Sequence, residues 1–233
     1  MRAPFITFEG GDGVGKSTQV KALASHLQEY GVPVLTTREP GGSPAGDKLR
    51  TLLVTGDVGA WTPRAEALLM YAARSENLTH TINPARARGE IVLCDRFADS
   101  TMAYQGVAGA LGPEFVSSLY DLIVGDDGPD LTIVLDLGEA GALERAKQRN
   151  AKKRDATLQK EERLEGRFEE KGLAYQKAVR AAFLQLADEE PARICVIDAS
   201  GSAAVVAERV RMAVMPLIEI WTAQTNSGDS QDG

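Results

Sequence analysis

A glycine-rich segment near the start of the chain has the residue types and spacing needed to hold phosphate groups. Residues 9–18 read Glu-Gly-Gly-Asp-Gly-Val-Gly-Lys-Ser-Thr and fit the pattern G-x-x-x-x-G-K-[ST]. An apolar run with strand character precedes the segment, and a helical pattern follows it. Glycines allow backbone N–H groups to crowd around phosphate oxygens, which larger side chains would obstruct. The segment therefore predicts a phosphate-binding loop.

This loop supplies the first candidate site residues. Lys16 is a candidate catalytic residue because its ammonium can reach the β- and γ-phosphates, and the Ser17 hydroxyl is a candidate Mg²⁺ ligand. The N-terminus of the following helix adds partial positive charge. The residues expected to bind ATP are Gly10, Gly11, Asp12, Gly13, Val14, Gly15, Lys16, Ser17 and Thr18.

Charged residues also follow later predicted strands. Arg38 comes at the end of the second strand, and Asp95 and Arg96 end an apolar run that follows Gly89. Open α/β sheets bind ligands at the carboxyl ends of their strands. Asp95 therefore suits Mg²⁺, and Arg96 suits a phosphate monoester. Asp136 ends another apolar strand, so a magnesium role stays open for it too.

Two further segments could bind the molecule that accepts a phosphoryl group. Arg74 follows Met70 at i+4 on a predicted helix, so both project from one face. An arginine beside apolar side chains is usually a surface group, but it can also donate to a base carbonyl while its neighbours cover the ring. A hydrogen-bonding cluster comes soon after Arg96. Its members include Thr101, Tyr104 and Gln105.

A long polar segment is rich in lysine and arginine. It covers residues 144–167 and has almost no large apolar side chains. Charge runs are usually solvated faces. In a chain of net charge −7 that binds nucleotide phosphates, this run predicts a lid over about residues 145–167, whose arginines close over the transferring phosphoryl group.

The order of predicted elements indicates the fold. Strands alternate with helices, which is the pattern of an α/β protein with a parallel sheet. The sequence predicts a P-loop NTPase-type fold of three layers, with a five-stranded parallel sheet, helices on both faces and a helical lid. With 233 residues and 43% hydrophobic content, we expect one domain over residues 1–221. The polar residues 222–233 are expected to be a disordered tail.

The composition of the chain limits the kinds of partner that the protein is expected to bind. The negative net charge argues against a nucleic-acid-binding surface, and no apolar run approaches the length of a membrane span. The first residues lack a signal-peptide pattern, so a cytoplasmic protein is expected. Cys94 and Cys195 lack metal-binding spacing and are expected to be free thiols in a reducing compartment.

A phosphate-binding loop identifies the donor phosphates but not the acceptor. A regulatory GTPase would carry an N-K-x-D guanine reader, which the sequence lacks. A motor or transport ATPase would be longer or carry an oligomeric sensor module. A small-molecule kinase needs an acceptor pocket, arginines for two anionic substrates and a closing lid, and this set matches the chain.

Five motifs occur together in one known family. They are residues 9–18, Thr37-Arg38-Glu39-Pro40-Gly41-Gly42, Tyr71-Ala72-Ala73-Arg74, Asp95-Arg96-Phe97 and Ser100-Thr101-Met102-Ala103-Tyr104-Gln105-Gly106. In this order they resemble the bacterial thymidylate kinase family, and the resemblance runs from Ile6 to about Trp221. It implies direct in-line transfer of the γ-phosphoryl group of MgATP to dTMP, giving dTDP for dTTP synthesis, in a homodimer.

The resemblance also implies roles for single residues. Asp12 resembles the acid that holds the sugar 3′-hydroxyl, and Arg38 and Arg96 resemble the arginines that bind the acceptor phosphate. Tyr104 resembles the residue that crowds the 2′ position and rejects ribonucleotides. The residues that resemble the thymine readers are Arg74, Thr101 and Gln105, with Met70 where many relatives stack an aromatic ring.

The lid is expected to supply the catalytic arginine. The resemblance implies this because Gly13 stands where another subgroup of the family has arginine. Arg149 is the first candidate, with Arg145 and Arg163 as supports, and the extra residues after Arg149 leave the choice among them open. The alternatives are a P-loop kinase for another nucleoside monophosphate or a nucleoside, and, more distantly, a non-enzymatic ATP-binding module.

Overall fold

Five parallel strands form the centre of the molecule. The computed structural model describes residues 2–54, 60–138, 141 and 172–228. The strands are β1 (Phe5–Glu9), β2 (Val34–Arg38), β3 (Ile91–Asp95), β4 (Leu131–Asp136) and β5 (Ile194–Asp198). They pair in the order β2-β3-β1-β4-β5. The predicted five-stranded parallel sheet is confirmed.

Helices connect the strands and cover both faces of the sheet, because parallel neighbours need crossover connections. The helices are α1 (Lys16–Glu29), α2 (Pro44–Val54), α3 (Pro63–Asn77), α4 (Asn83–Ala87), α5 (Ala98–Thr101), α6 (Pro113–Ile123), α7 (Leu173–Glu189) and α8 (Ala203–Gly228). Short π-helical segments follow α3 (Leu78–Ile82) and α5 (Met102–Val107), and a 3₁₀ turn covers Gly125–Asp127. No described helix is both long and apolar enough to cross a membrane.

The core lies on both sides of the sheet. Side chains of β1 alternate between the two faces, as strand geometry requires. Phe8 packs with residues of α1 and α8 on one face. Phe5 faces the other side, where it packs with Tyr71 of α3 and meets Phe97 edge to face at 5.0 Å. The central strands β1 and β3 are almost wholly buried, which matches their near-continuous apolar sequences.

Strand register brings the carboxyl ends of the strands to one edge. Phe8 of β1 and Arg38 of β2 both pair with Asp95 of β3. The phosphate-binding loop follows β1 directly, so these three strand ends meet beside it. At the end of β4, Asp136 accepts two hydrogen bonds from Arg180 of α7, at 2.7 and 2.8 Å. The Asp136 carboxylate therefore anchors α7 to the sheet in this structure.

The last helix is longer than predicted. The sequence predicts a disordered tail from residue 222, but α8 continues to Gly228, so residues 222–228 are helical. Thr222 and Thr225 donate their hydroxyls to the carbonyls four residues earlier, at 2.9 and 3.2 Å. Both threonine side chains therefore bond within the helix, in a stretch whose polar composition favoured a disordered tail. Residues 229–233 and the predicted lid over 145–167, with Arg145, Arg149 and Arg163, lie outside the described residues.

Candidate active site

The predicted phosphate-binding loop joins β1 to α1. Gly10, Gly13 and Gly15 all have positive φ, at 123°, 75° and 104°, a region that side chains disfavour. A Cβ at Gly10 would also lie 2.4 Å from the carbonyl oxygen of Leu135. Close backbone approach therefore requires glycine at position 10, while Val14 of the same loop packs into the core.

Lys16 is held inside this loop. It is 7% exposed, and its ammonium donates to the carbonyls of Gly10 and Gly11 at 3.2 and 2.8 Å. Burial, together with the nearby Arg96 guanidinium, lowers the pKa of Lys16 to about 8. Keeping the buried Lys16 ammonium charged therefore costs free energy, and the negative charge of a bound ligand would offset that cost.

We expect ATP binding to draw a proton onto Lys16 at alkaline pH. The depressed pKa of about 8 leaves the free amine partly neutral above that pH, and adjacent phosphates favour the ammonium, so binding raises this pKa. Calorimetric titrations at about pH 8.5 in buffers of different ionisation enthalpy should give an uptake of at most about three-quarters of a proton per ATP, since this is the fraction of Lys16 that is neutral there. Proton uptake should fall toward zero near pH 6.5, where Lys16 is already charged. It should also be lost in Lys16→Ala. A binding heat independent of the buffer at both pH values would contradict it.

Arg96 lies between the phosphate-binding loop and the region around Arg74, where the phosphate acceptor is expected to bind. This region is called the acceptor side of the site. Its Nη1 donates to the Gly10 carbonyl and the Ser100 hydroxyl at 3.2 and 2.9 Å. Its Nη2 donates to the Asp12 carboxylate at 2.5 Å and to the Tyr104 hydroxyl at 3.2 Å. The backbone of Arg96 is left-handed, with φ 71°, which is uncommon for a residue with a side chain. The surrounding bonds fix this guanidinium at the junction of the two halves of the site.

Glu9 supports that arrangement from the end of β1. Its fully buried carboxylate accepts the Phe97 N–H at 2.7 Å and the Ser100 hydroxyl at 2.6 Å. Burial and the neighbouring Asp99 carboxylate raise the pKa of Glu9 to about 7. Both contacts hold the turn that carries Arg96. Sequence reasoning gave Glu9 no role of its own, although an acid ending a buried strand was a usable signal.

The two predicted magnesium ligands lie side by side. The Ser17 hydroxyl donates to the Asp95 carboxylate. A hydroxyl and a carboxylate next to a phosphate-binding loop are oxygen donors of the kind that Mg²⁺ prefers. The residues present therefore fit the ion that the sequence implies.

Arg74 is the centre of the acceptor side. It is 1% exposed, and its guanidinium lies over the rings of Tyr71 and Phe97, at 4.3 and 4.9 Å from their centroids. Its Nε donates to Glu39 at 2.8 Å and its Nη2 to Thr101 at 3.1 Å. Its Nη1 is buried and has no hydrogen-bond partner within the described part of the chain. Burial raises the pKa of the Glu39 carboxyl, and Arg74 opposes that rise.

A tyrosine outside the cavity supports its wall. The Tyr175 hydroxyl of α7 donates to the Tyr104 carbonyl at 2.7 Å, and the two rings meet edge to face at 6.2 Å. Phe183 packs edge to face on the same Tyr104 ring at 6.3 Å. The Tyr104 side chain is therefore held on one side by Arg96 and on the other by α7.

One cavity of about 410 Å³ joins the loop and the acceptor side. The predicted site residues that line it are Asp12, Gly13, Gly15, Lys16, Ser17, Thr18, Arg38, Met70, Arg74, Asp95, Arg96, Thr101, Tyr104 and Gln105. Arg50 and Glu66 are among the residues of the site that were not predicted from sequence. Arg50 lines the cavity and donates to the Pro40 carbonyl at 2.8 Å, and Glu66 accepts from Gln105 at 2.7 Å. Glu66 precedes Met70 and Arg74 at helical spacing, a signal that could have identified it.

A phosphate-binding loop that faces an arginine-lined pocket across one cavity, on a parallel α/β sheet, defines a P-loop kinase of small molecules. Residues 8–210 match the sequence model of the family described as thymidylate kinase. The chain belongs to the thymidylate kinase family, as the motifs in its sequence predicted.

Individual relatives agree with this membership. The chain is 46% identical to a thymidylate kinase of Caulobacter vibrioides over 84% of this chain and 88% of that protein. It is 45% identical to one of Cereibacter sphaeroides over 92% and 95%. Its structure is similar to the crystal structure of thymidylate kinase from Ehrlichia chaffeensis, with a TM-score of 0.70 and 30% identity over 92% of this chain and all of that one.

Proposed function

We propose that the protein transfers the γ-phosphoryl group of ATP to dTMP, giving dTDP and ADP. The observation that carries the proposal is the single cavity in which Lys16 and the buried Arg74 both lie, with Arg96 between the two regions. Membership of the thymidylate kinase family supports it. A shared cavity of this kind supports the proposal because it would let a donor phosphate and an acceptor phosphate lie next to each other, as direct in-line transfer requires.

The loop residues act on the donor. Gly10 to Thr18 bind the ATP phosphates through backbone N–H groups and the N-terminus of α1. Lys16 neutralises charge that spreads onto the transferred group. Ser17 and Asp95 would hold Mg²⁺, which supplies positive charge to the ATP phosphates when bound. No general base is needed, because the acceptor phosphate is already ionised at neutral pH.

The other side of the cavity acts on dTMP. Arg38 and Arg96 bind the acceptor phosphate, and Asp12 binds the sugar 3′-hydroxyl. The proposed role of the Tyr104 ring, which contacts Arg96 and the Tyr175 ring, is to crowd the 2′ position of the sugar, so that exclusion by bulk rejects ribonucleotides. The residues proposed to contact thymine are Met70, Arg74, Thr101 and Gln105.

We propose that a lid arginine completes the site, with Arg149 first and Arg163 second. Arg149→Ala should lower turnover by on the order of 10³-fold or more because it removes the cation that stabilises the transferring group, with a smaller loss for Arg163→Ala. Single-turnover rates at saturating ATP and dTMP measure both effects, with Arg88→Ala as the control, since Arg88 is 57% exposed and pairs with Glu90. If neither lid variant loses turnover, the lid assignment is wrong.

One assay tests the proposed function. The protein is incubated with MgATP and each nucleoside or deoxynucleoside monophosphate, and also with the nucleosides, while ADP release is followed. We expect dTMP to give the largest kcat/KM. A preference for dCMP or UMP would favour a kinase for another monophosphate, and a preference for a nucleoside would favour a nucleoside kinase. ATP binding without acceptor-dependent turnover would favour a binding module.

We also propose that the protein works as a homodimer in the cytoplasm. Leu68 of α3 and Leu122 of α6 are 48% and 76% exposed on neighbouring helices, and apolar side chains of this kind suit an interface. The thiols of Cys94 and Cys195 are free, which suits a reducing compartment. Sedimentation equilibrium of the unmodified protein and of Leu122→Glu tests the dimer, which the charged variant should weaken.

A further inference from the structure

Two rows of side chains meet at the acceptor side of the cavity. On α3, Glu66, Met70 and Arg74 recur every four residues and so share one face of the helix. Thr101 and Gln105 come from the segment after β3. Arg74 Nη2 bonds to Thr101 at 3.1 Å, and Gln105 Nε2 bonds to Glu66 at 2.7 Å.

The Glu66 contact fixes which way the Gln105 amide points. A carboxylate has only acceptor atoms, so the amide NH₂ must turn toward Glu66. The carbonyl oxygen Oε1 is then the acceptor that this side chain can offer to a ligand, and Gln105 lines the cavity. Gln105 and Glu66 are each 2% exposed. Turning the amide over would place two acceptors against each other in a buried site, which is costly.

Arg74 presents the opposite type of group. Its Nη1 is buried and unpartnered within the described part of the chain, so a donor and an acceptor are available on the same side of the cavity. Thymine and uracil offer an N3–H donor beside the O4 acceptor, and cytosine offers an N3 acceptor beside an amino donor. The pair Arg74 Nη1 and Gln105 Oε1 therefore matches thymine or uracil and mismatches cytosine.

We infer that Glu66 is a positioning residue that sets base specificity through the orientation of the Gln105 amide. The inference rests on the proposed function, because it assumes that a pyrimidine monophosphate is the acceptor. Glu66 itself is not among the residues that line the cavity in the described part of the chain. Its effect on the base is transmitted through Gln105.

The substitution Glu66→Gln tests this inference. A glutamine at position 66 can donate or accept, so the Gln105 amide becomes free to take either orientation. The ratio of kcat/KM for dTMP to that for dCMP should fall about tenfold, since one hydrogen bond of specificity is lost. The change should appear in the KM and Kd for dTMP, while kcat and the KM for ATP stay within about twofold. Glu76→Gln on the same helix is the matched control, because Glu76 is 40% exposed and faces His80.

Exchanging the residues at positions 66 and 105 distinguishes an effect on the orientation of the amide from an effect on the stability of the protein. In Glu66→Gln/Gln105→Glu the glutamine donates to the new carboxylate, whose second oxygen still offers an acceptor to the base. This variant should recover a dTMP to dCMP ratio within about threefold of the unmodified protein. It also keeps the test available if the single variant does not fold.

Three results would overturn the inference. They are an unchanged ratio in Glu66→Gln, a ratio in the exchange variant as low as in the single one, and equal weakening of ATP and dTMP binding. Calorimetric Kd values for dTMP and dCMP give the ratio without turnover. Failure of the unmodified protein to phosphorylate dTMP would therefore count against the proposed function alone.

Discussion

Lys16→Ala is expected to lower kcat/KM for ATP by on the order of 10³-fold or more, because it removes the loop cation from the transferring phosphoryl group. The Lys16 ammonium is buried, and it donates to the carbonyls of Gly10 and Gly11 within the loop. In a site from which water is excluded, such a charge stabilises the transition state far more than it would in water. Most of the loss should therefore appear in kcat.

The control for this variant comes from the same helix. Lys21 lies five residues further along α1 and is exposed, so Lys21→Ala removes the same charge without reaching the loop. We expect its steady-state parameters to stay within about twofold of the unmodified protein, as is usual for surface changes. The thermal midpoint of each variant shows whether the fold is kept. A kcat for Lys16→Ala within about tenfold of normal would contradict the assigned role.

Arg96→Lys is expected to lower kcat/KM for dTMP by about 10²- to 10³-fold although it keeps the charge. The guanidinium contacts Gly10, Ser100, Asp12 and Tyr104 at once. A lysine ammonium is a point donor on a flexible stem and cannot reproduce such a planar fork. The KM for dTMP should rise with the loss of kcat, while the KM for ATP changes much less.

This variant also separates the side chain from its backbone. Position 96 has a left-handed φ of 71°, and lysine meets the same backbone strain there as arginine. The substitution therefore tests only the hydrogen-bonding geometry of the guanidinium. Arg88→Lys is the control, since Arg88 is 57% exposed and pairs with Glu90. Initial rates over a dTMP series at fixed ATP give both constants. Retention of kcat/KM within about threefold would show that charge alone is needed at position 96.

The sequence was most informative where function depends on residues close together in the chain. The loop pattern identified Lys16 and Ser17, and the strand ends identified Arg38, Asp95 and Arg96, because parallel strands bring their carboxyl ends to one edge. All five line the cavity. Their convergence needed only the order of strands and helices, which apolar periodicity reveals.

Pairings between distant segments were not predictable in the same way. The Glu66–Gln105 bond joins residues 39 positions apart, and nothing in either local pattern shows that the two side chains meet. The contact of Arg50 with the Pro40 carbonyl depends on the path of the turn before α2. The polar composition of residues 222–228 favoured a disordered tail, whereas α8 continues through them with threonine hydroxyls bonded to carbonyls of the same helix.

The hydrogen bond from Tyr175 to Tyr104 affects how mutation can change the substrate range of this protein. Tyr175 donates to the backbone of Tyr104, yet it is not among the lining residues of the cavity in the described part of the chain. A substitution at position 175 would loosen the Tyr104 ring, which we propose to contact the sugar, while every residue that lines the cavity stays the same. Selection for a new analogue could therefore act on α7 first, and a survey confined to the pocket would not find the change.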